Sequence, residues 1–375
     1  MSLSKGKFRF VVCFVLIAVL CSMYMHNVFA KDGSKEIEIL HVLNRMEDES
    51  LTRIETLVKM NFENGEIVEI GKAFSVYNAD EEDMFYLYPI YVNSECVFIA
   101  ESGKDGNVVL SNNVEIINTI EALDTGKYIL YVSDGKYYAQ SLYQNKLLQI
   151  ACVINVENST EFVNLTFEQK EEWLKTLYGG TEIYFEDASS SEIIKIVDTY
   201  TAPKTRSVIS GYENGKYTYR CNITNFVSQG NYGLCWSATA ATIVNYKKGT
   251  SLNAMYFADR YHIGYDEGAS LEQTNICFQS YGLSYTLSNF RIGWSQIKSN
   301  INNDKPFVIR LYQSINNSGG HQITGYGYGC EIRDSIASYR TIYAWDPNGY
   351  KISFLDSDSI ISTSGYSFVW NRSLY

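Results

Sequence analysis

The spacing of apolar residues changes along the chain. Between residues 36 and 60 they recur every three or four positions, which predicts one or two amphipathic helices. Short apolar runs of strand type follow at residues 85–92, 96–100, 108–110 and 128–140. The last run contains Ser133-Asp134-Gly135-Lys136 between alternating apolar positions, a strong hairpin signal. The first half is therefore predicted to be β-rich with a helix near its start.

The second half shows the opposite order, with helices before strands. Small and apolar residues from 236 to 246 predict a buried helix. A second helix is expected at 270–281, with Ser270 as N-cap, Gln273 in capping-box position and Gly282 at its end, and a third at 294–303. Strands are predicted at residues 307–312, 322–328, 341–345, 351–355 and 366–370. This order is typical of an α+β fold.

Charge divides the chain at the same place as the patterning. The whole chain has a net charge of −11, but residues 31–204 carry 31 acidic and 14 basic residues, a net of −17, and residues 205–375 carry a net of +3. A polar, proline-containing stretch lies at the break. We therefore predict an acidic β-rich domain at 31–187, a linker at 188–206 and a second domain at 207–375, and we expect the acidic domain to dock on its neighbour.

The first thirty residues have the pattern of a secretory signal peptide. Lys5, Lys7 and Arg9 precede an apolar run at 10–20, and Ala30 ends a small-residue cleavage site. A cleaved signal predicts a secreted protein with no stable membrane association, while an uncleaved anchor is the alternative.

Cys235 is the strongest candidate for chemistry. It stands where a glycine-rich loop gives way to the predicted helix 236–246, and a first-turn cysteine faces unpaired N–H groups that favour its thiolate. Gln229, six positions earlier, can donate an amide hydrogen bond near the same sulfur. A thiolate with an adjacent amide donor is suited to acyl transfer.

Such a thiolate needs a base, and His321 is the best of four histidines. His26 lies in the predicted signal peptide, His41 in the predicted acidic helix, and His262 is expected at a surface or helix end. His321 follows Gly319-Gly320 at the start of a predicted strand, which would hold its ring rigidly.

The residue that orients the imidazole is predicted to be Asp346. It ends an apolar strand and begins the turn Asp346-Pro347-Asn348-Gly349. Asn348 is the alternative, but the proline and glycine indicate that the strand has ended before it.

Together these residues resemble the active site of papain-like cysteine proteases. The resemblance rests on Gly233-Leu234-Cys235-Trp236, on Gln229, and on the order Gln, Cys, His, Asp. It implies a two-lobed domain, with Cys235 on a helical lobe and His321 on a β-barrel-like lobe. It also implies an oxyanion site formed by Gln229 and Cys235.

The same resemblance extends to the cleft, the domain plan and activation. It implies a substrate cleft beside Gly233, Trp236 and Gly320. Aspartate followed by proline is the form found in bacteriocin-leader-processing peptidases, whereas papain and staphopain have asparagine. Staphopain zymogens carry a partial β-barrel propeptide that blocks the cleft. By analogy the acidic half is expected to inhibit the enzyme until the linker is cut, with Lys204 and Arg206 as candidate sites.

The sequence also departs from papain. Tyr232 replaces a cysteine that forms a disulfide in papain. Cys235 and His321 are 86 positions apart, and Cys235 and Asp346 are 111 apart, less than the roughly 130–150 usual in papain and cathepsins. A trimmed catalytic domain is implied, with altered specificity loops. No cysteine or histidine spacing of zinc type occurs, and neither a metal, another cofactor nor a nucleic-acid partner is expected.

Three functions remain open at this point. The first is a secreted cysteine endopeptidase, made as a latent zymogen, that acts on polypeptides. The second is an amidase or transpeptidase acting on cell-wall or isopeptide bonds. The third is a catalytically silent binding or adhesion protein on a protease scaffold. The complete Gln229, Cys235, His321 and Asp346 set favours the first.

Overall fold

The computed structural model mixes α-helices with an extensive network of paired β-strands. It describes residues 37–42, 47–62, 68–103, 105–133, 135–142, 147–152, 161–178, 183–187, 194–196, 215–313, 320–333, 336–363 and 365–375. These ranges contain nineteen strands and seven α-helices, and Ile37–Tyr375 form one compact unit. Among the described residues, no helix combines the length and apolar character that crossing a bilayer requires. The predicted signal peptide lies outside the described residues.

The N-terminal half is dominated by strands, as predicted. Its strands are β1 (Ile37–Val42), β2 (Val68–Ile70), β3 (Phe74–Asn78), β4 (Asp83–Val92), β5 (Glu95–Ser102), β6 (Val108–Ser111), β7 (Gly126–Ser133), β8 (Lys136–Ser141), β9 (Leu147–Cys152), β10 (Ile183–Asp187) and β11 (Ile194–Ile196). Its helices are α1 (Glu47–Asn61), α2 (Glu115–Glu121) and α3 (Phe167–Leu177), with a 3₁₀ turn at Glu161–Asn164. Strand β11 falls inside the predicted linker and pairs with β2.

The four strand predictions in this half are confirmed. Strands β4, β5 and β6 pair consecutively and antiparallel, and β7 and β8 form the predicted hairpin. Gly135 in its turn has φ +67°, a conformation that glycine adopts without strain.

The prediction of helix from residue 36 onward is wrong for its first part. Ile37–Val42 form β1, which pairs in parallel with β7 and antiparallel with β10. Leu40 faces one apolar cluster and Ile39 faces another, so both faces of the strand are buried. Apolar residues on both faces break the alternation expected of a half-exposed strand and imitate helical spacing. His41, predicted in the helix, is buried in β1, with Nδ1 3.1 Å from Ser75 Oγ.

The C-terminal half follows the predicted order of helices and then strands. After β12 (Gly215–Arg220) come α4 (Cys235–Lys248), α5 (Met255–Tyr261), α6 (Leu271–Gln279), β13 (Leu287–Ser288) and α7 (Trp294–Asn302). The remaining strands are β14 (Phe307–Gln313), β15 (Gly320–Arg333), β16 (Ile336–Asp346), β17 (Tyr350–Leu355), β18 (Ile360–Thr363) and β19 (Tyr366–Leu374). Ser270 caps α6 by accepting from Gln273 N at 3.2 Å, as predicted. Helix α5 was missed because it is only seven residues long.

An antiparallel sheet forms the centre of this half. Its order is β18, β19, β14, β15, β16, β17, and the long β15 pairs with β12 along its second part. Helices α5 and α6 each pack on α4, around a separate apolar cluster that includes Trp236, Phe257 and Phe278. The first turn of α4 thereby lies close to the start of β15.

The two halves are joined through backbone and core. Strand β17 pairs with β6, with Ile352 opposite Ser111 and Phe354 opposite Val109. One apolar cluster contains residues of both halves, including Val109 and Ile342. The interface is thus a continuation of the sheet, backed by shared hydrophobic packing.

An ion pair also links the two halves at this interface. Arg53 on α1 bonds through Nη1 to Asp358, which is almost fully buried between β17 and β18. Burial raises the pKa of Asp358 to about 6 despite the opposing charge of Arg53. At neutral pH the buried carboxylate therefore depends on Arg53 for its counter-charge.

We predict that Arg53→Ala lowers the free energy of unfolding by about 3 kcal/mol at pH 8, because it leaves a buried carboxylate unpaired. A carboxyl whose folded pKa is raised contributes stability that is present at low pH and is lost as pH rises through about 6. The loss should therefore be smaller at pH 5, where Asp358 is largely protonated. Urea unfolding at both pH values measures this.

Lys59→Ala on the same helix is the matched control. Lys59 forms a part-exposed pair with Glu55 at 3.9 Å, so its removal should cost about 0.5 kcal/mol or less. Equal losses for the two variants would contradict a dependence of the interface on Arg53.

Candidate active site

Cys235 begins helix α4, as the sequence predicted. Its side chain is 7% exposed, and the helix behind it is buried through Ala238, Ala240 and Ala241. Gly249 ends the helix in the left-handed conformation, with φ +66°. The thiol therefore lies at the positive end of a rigid, close-packed helix, where backbone N–H groups favour negative charge.

His321 and Asp346 come together on neighbouring strands. His321 is the second residue of β15 and Asp346 the last of β16, and the bulged pairing of these strands aligns their ends. His321 Nε2 lies 2.8 Å from Asp346 Oδ1, and both side chains are buried. Of the two candidates for the residue that orients the imidazole, the structure places Asp346 on the ring.

Asp346 is held by further donors. Oδ1 also accepts from the backbone N–H of Asn348 at 2.9 Å, and Oδ2 accepts from Thr363 Oγ1 at 3.3 Å. These bonds satisfy a carboxylate with no exposed surface and fix the direction in which it meets the ring. The ring in turn has its second nitrogen free for Cys235.

Electrostatics favour charge separation between Cys235 and His321. Burial works against the thiolate, but the hydrogen bond with His321 and the charges of His321 and Arg310 lower the pKa of Cys235 below its ordinary value. Burial also works against a charged ring, but the charge and hydrogen bond of Asp346, with the bond to Cys235, raise the pKa of His321. A thiolate beside an imidazolium is the charge state that these contacts stabilise.

At four other described cysteines the thiol pKa is raised instead of lowered. Burial raises the pKa of Cys96, Cys221 and Cys277 to about 12, and it raises the pKa of Cys330 as well. Cations act on Cys221, Cys277 and Cys330, but burial outweighs them. Among these five free cysteines, Cys235 is set apart as a nucleophile.

Gln229 is anchored to the turn that follows Asp346. Its backbone N–H donates to Pro347 O at 2.8 Å, and its side-chain Nε2 donates to Asn348 Oδ1 at 2.9 Å. A side-chain amide has two N–H donors, so one remains for another acceptor. Asn348, the alternative partner of His321 in the sequence, instead holds the amide of Gln229.

The loop before Cys235 is held in place by hydrogen bonds to this turn and to the strand end before it. Trp345 Nε1 donates to Val227 O at 3.0 Å, and Ser228 Oγ donates to Pro347 O at 3.0 Å. The rings of Phe226 and Trp345 stack with centroids 4.8 Å apart. One turn thus positions the base through Asp346 and the amide donor through residues 347 and 348.

The three predicted cleft residues have different positions. Trp236 is fully buried among the helices, and its Nε1 donates to Glu267 O at 3.3 Å. Gly233 packs against Asp266, where a Cβ would lie 3.2 Å from the carbonyl oxygen. Gly320 is exposed beside His321.

Sequence reasoning missed two residues around the site. Gln322, fully buried, donates through Nε2 to Ala269 O, accepts from Thr274 Oγ1, and binds Thr239 through its backbone oxygen. It therefore ties β15 to α4 and α6 directly beside His321. Arg310 stands in β14 opposite Gln322. A polar residue in an otherwise apolar buried strand was the available signal for both.

Other predicted residues do not enter the site. His262 is exposed at the end of α5, with φ 54°, as expected for a surface or helix-end residue. His26, Lys204 and Arg206 lie outside the described residues, as does most of the predicted linker.

A family model matches part of the C-terminal half. Residues 222–372 match the model of a family described as Peptidase_C39 like family, and the match indicates a cysteine peptidase. The matched segment contains Gln229, Cys235, His321 and Asp346. A search of curated proteins found no match.

We predict that iodoacetamide at pH 6.5 alkylates Cys235 before Cys96, Cys221, Cys277 and Cys330. Only Cys235 among these five has a lowered pKa, and the thiolate is the reactive form. His321→Ala should abolish the preference, because the hydrogen bond that lowers the pKa is lost. Peptide mass spectrometry over a time course measures each rate, and equal rates in the wild-type protein would contradict the assignment.

We also predict that Gln229→Ala lowers kcat by roughly 10²–10³ if the amide donates to an oxyanion. Asn348→Ala should lower kcat less, because the amide remains but is no longer held. Since Asn348 acts through Gln229, the double variant should be no worse than Gln229→Ala alone. Multiplicative losses would show that Asn348 has a separate role.

Proposed function

We propose that the chain is a secreted cysteine endopeptidase, made as a latent precursor, that hydrolyses peptide bonds through a covalent acyl-enzyme. The observation that carries this proposal is the meeting of Cys235, at a helix N-terminus, with the buried His321–Asp346 pair. The match of residues 222–372 to a cysteine peptidase family supports it. A two-lobed arrangement is part of the proposal, supported by the separate apolar cluster of α4, α5 and α6.

The first half of the reaction forms the acyl-enzyme. The Cys235 thiolate attacks the scissile carbonyl carbon, and the oxyanion accepts from the free N–H of Gln229 and the backbone N–H of Cys235. His321, as imidazolium, gives its proton to the leaving amine nitrogen, and the C–N bond breaks. Asp346 orients the ring through its hydrogen bond to Nε2 and stabilises the charge on it.

The second half releases the acid. Neutral His321 takes a proton from water, the hydroxide attacks the thioester, and the C–S bond breaks. The carboxylic acid leaves and gives its proton to the solvent, and the thiolate–imidazolium pair is restored. The burial of Gln229, Cys235, His321 and Asp346 and the bond between His321 and Asp346 support these steps.

Latency is proposed to come from the N-terminal half. In the full chain Cys235 is 7% and His321 4% exposed. Two acidic residues of the N-terminal half bind the hairpin of β18 and β19. Glu101 Oε1 accepts from Gly365 N at 3.0 Å, and Asp80 Oδ2 accepts from Tyr366 OH at 2.5 Å. That hairpin contacts Asp346 through Thr363.

The contact extends to the strand beside the histidine. Glu81 bridges the halves by accepting from Gln313 Nε2 at 3.0 Å and from Ser367 N at 3.3 Å. Gln313 ends β14, the strand that pairs with the start of β15. We therefore propose that the acidic half acts as an intramolecular inhibitor until the linker is cut near Lys204 or Arg206, and that residues 1–30 direct secretion and are removed during it.

The test is release of peptides from a denatured protein by the purified chain from Lys31 onward, before and after limited trypsin cleavage in the linker. We expect background activity before the cut and a large increase after it, with no activity in Cys235→Ala at either stage. N-terminal sequencing of the cut protein locates the site.

The outcomes separate the parts of the proposal. Peptide release by uncut protein at the full rate would overturn latency but keep the protease. Release by Cys235→Ala, or none by cut wild-type protein, would overturn the protease itself. Release of fragments from peptidoglycan alone would establish the amidase alternative.

A further inference from the structure

The charge of Arg310 reaches the candidate nucleophile, and among the described residues no carboxylate forms an ion pair with this arginine. Its guanidinium lies against Gly320, where a Cβ would be only 2.1 Å from Nη2. Gly320 immediately precedes His321, and the charge of Arg310 also acts on Cys235. The absence of a side chain at residue 320 thus makes the room in which the guanidinium lies next to the reacting groups.

A neighbouring arginine shows what Arg310 lacks. Arg372 in β19 lies directly opposite Arg310 in β14 and bonds through Nη2 to Glu272 Oε1 and Asn289 Oδ1. No carboxylate among the described residues forms an ion pair with Arg310, and its buried Nε has no acceptor in that part of the chain. Both guanidinium groups also hydrogen-bond to the Tyr312 side chain, and Glu272 is the one carboxylate among the described residues that pairs with either of them.

The remaining surroundings of Arg310 are neutral or aromatic. Its Cζ lies 4.9 Å from the ring centre of Tyr312, and it pairs across the sheet with Gln322. Arg310 and Tyr312 are partly exposed and Gly320 is exposed. A planar donor group is thus held on a rigid strand, partly open to solvent, against the residue before His321 and near enough to Cys235 for its charge to favour the thiolate.

We propose that Arg310 binds a carboxylate of the substrate beside the scissile bond, so that the enzyme prefers acidic peptides. The inference rests on the proposed peptidase function. The carboxylate can come from an Asp or Glu side chain or from the C-terminus of a short peptide. Either would supply the missing counter-charge through bidentate hydrogen bonds.

The test uses matched peptides that differ only in Glu or Gln at each position flanking the cleaved bond, and a pair ending in a free acid or an amide. With the linker-cut wild-type enzyme, we expect kcat/KM to favour the acidic member by about 10- to 100-fold at one position. A preference confined to the free-acid peptide would assign the C-terminal carboxylate as the ligand.

Arg310→Met should bring the ratio of kcat/KM for the acidic peptide to that for the neutral peptide to about one. Arg310→Lys should keep part of the preference. Arg260→Met, on an exposed face of α5, is the matched control and should leave the ratio unchanged. Thermal unfolding of each variant checks the fold. If Arg310→Met lowers kcat/KM equally for the acidic and the neutral peptide of a pair, Arg310 acts only on the thiolate. That result would overturn the proposal.

Binding to the linker-cut Cys235→Ala protein, measured by fluorescence anisotropy with the same labelled peptides, separates recognition from chemistry. The Glu peptide should bind more tightly than the Gln peptide, and Arg310→Met in this background should remove the difference. Hydrolysis without any acidic preference would overturn this inference alone. Failure of every peptide to be hydrolysed would overturn the peptidase on which it rests.

Discussion

The buried carboxylate of Asp346 is the constraint on which the site depends. A charge with no exposed surface has to be matched by donors, and here the donors are His321, the backbone of Asn348 and Thr363. Meeting that requirement fixes three elements at once, namely the start of β15, the turn after β16 and the end of β18. The geometry of the imidazole is therefore a result of satisfying one buried anion.

The turn after Asp346 extends this constraint to the helical side. Pro347 and Asn348 hold Gln229, and Trp345 holds Val227, so the loop leading to Cys235 has little freedom. Gln322 provides the second link, from β15 to α4 and α6. The nucleophile, the base and the amide donor come from distant parts of the sequence, yet they share the same short set of hydrogen bonds.

The sequence predicted the site better than the surroundings of the site. Each of the three residues has a local signal in the sequence: Cys235 is at a helix start, His321 follows glycines at a strand start, and Asp346 ends a strand. The structure brings them together. Strand β1 was mistaken for helix because its neighbours β7 and β10 bury both faces, and local sequence does not contain those neighbours. The surroundings of Asn348 and Arg310 could not be predicted for the same reason, since their partners lie on other elements.

The ladder between β6 and β17 also bears on the order in which the chain folds. The N-terminal half is synthesised first, and its strand β6 then has β5 on one side and an open edge on the other. Strand β17 comes more than 230 residues later and completes that edge. Contacts so distant in sequence form slowly, and an unpaired edge is a site for wrong pairing during the wait. The acidic charge of the first half, −17 over residues 31–204, provides repulsion between copies of the nascent chain while that edge is open.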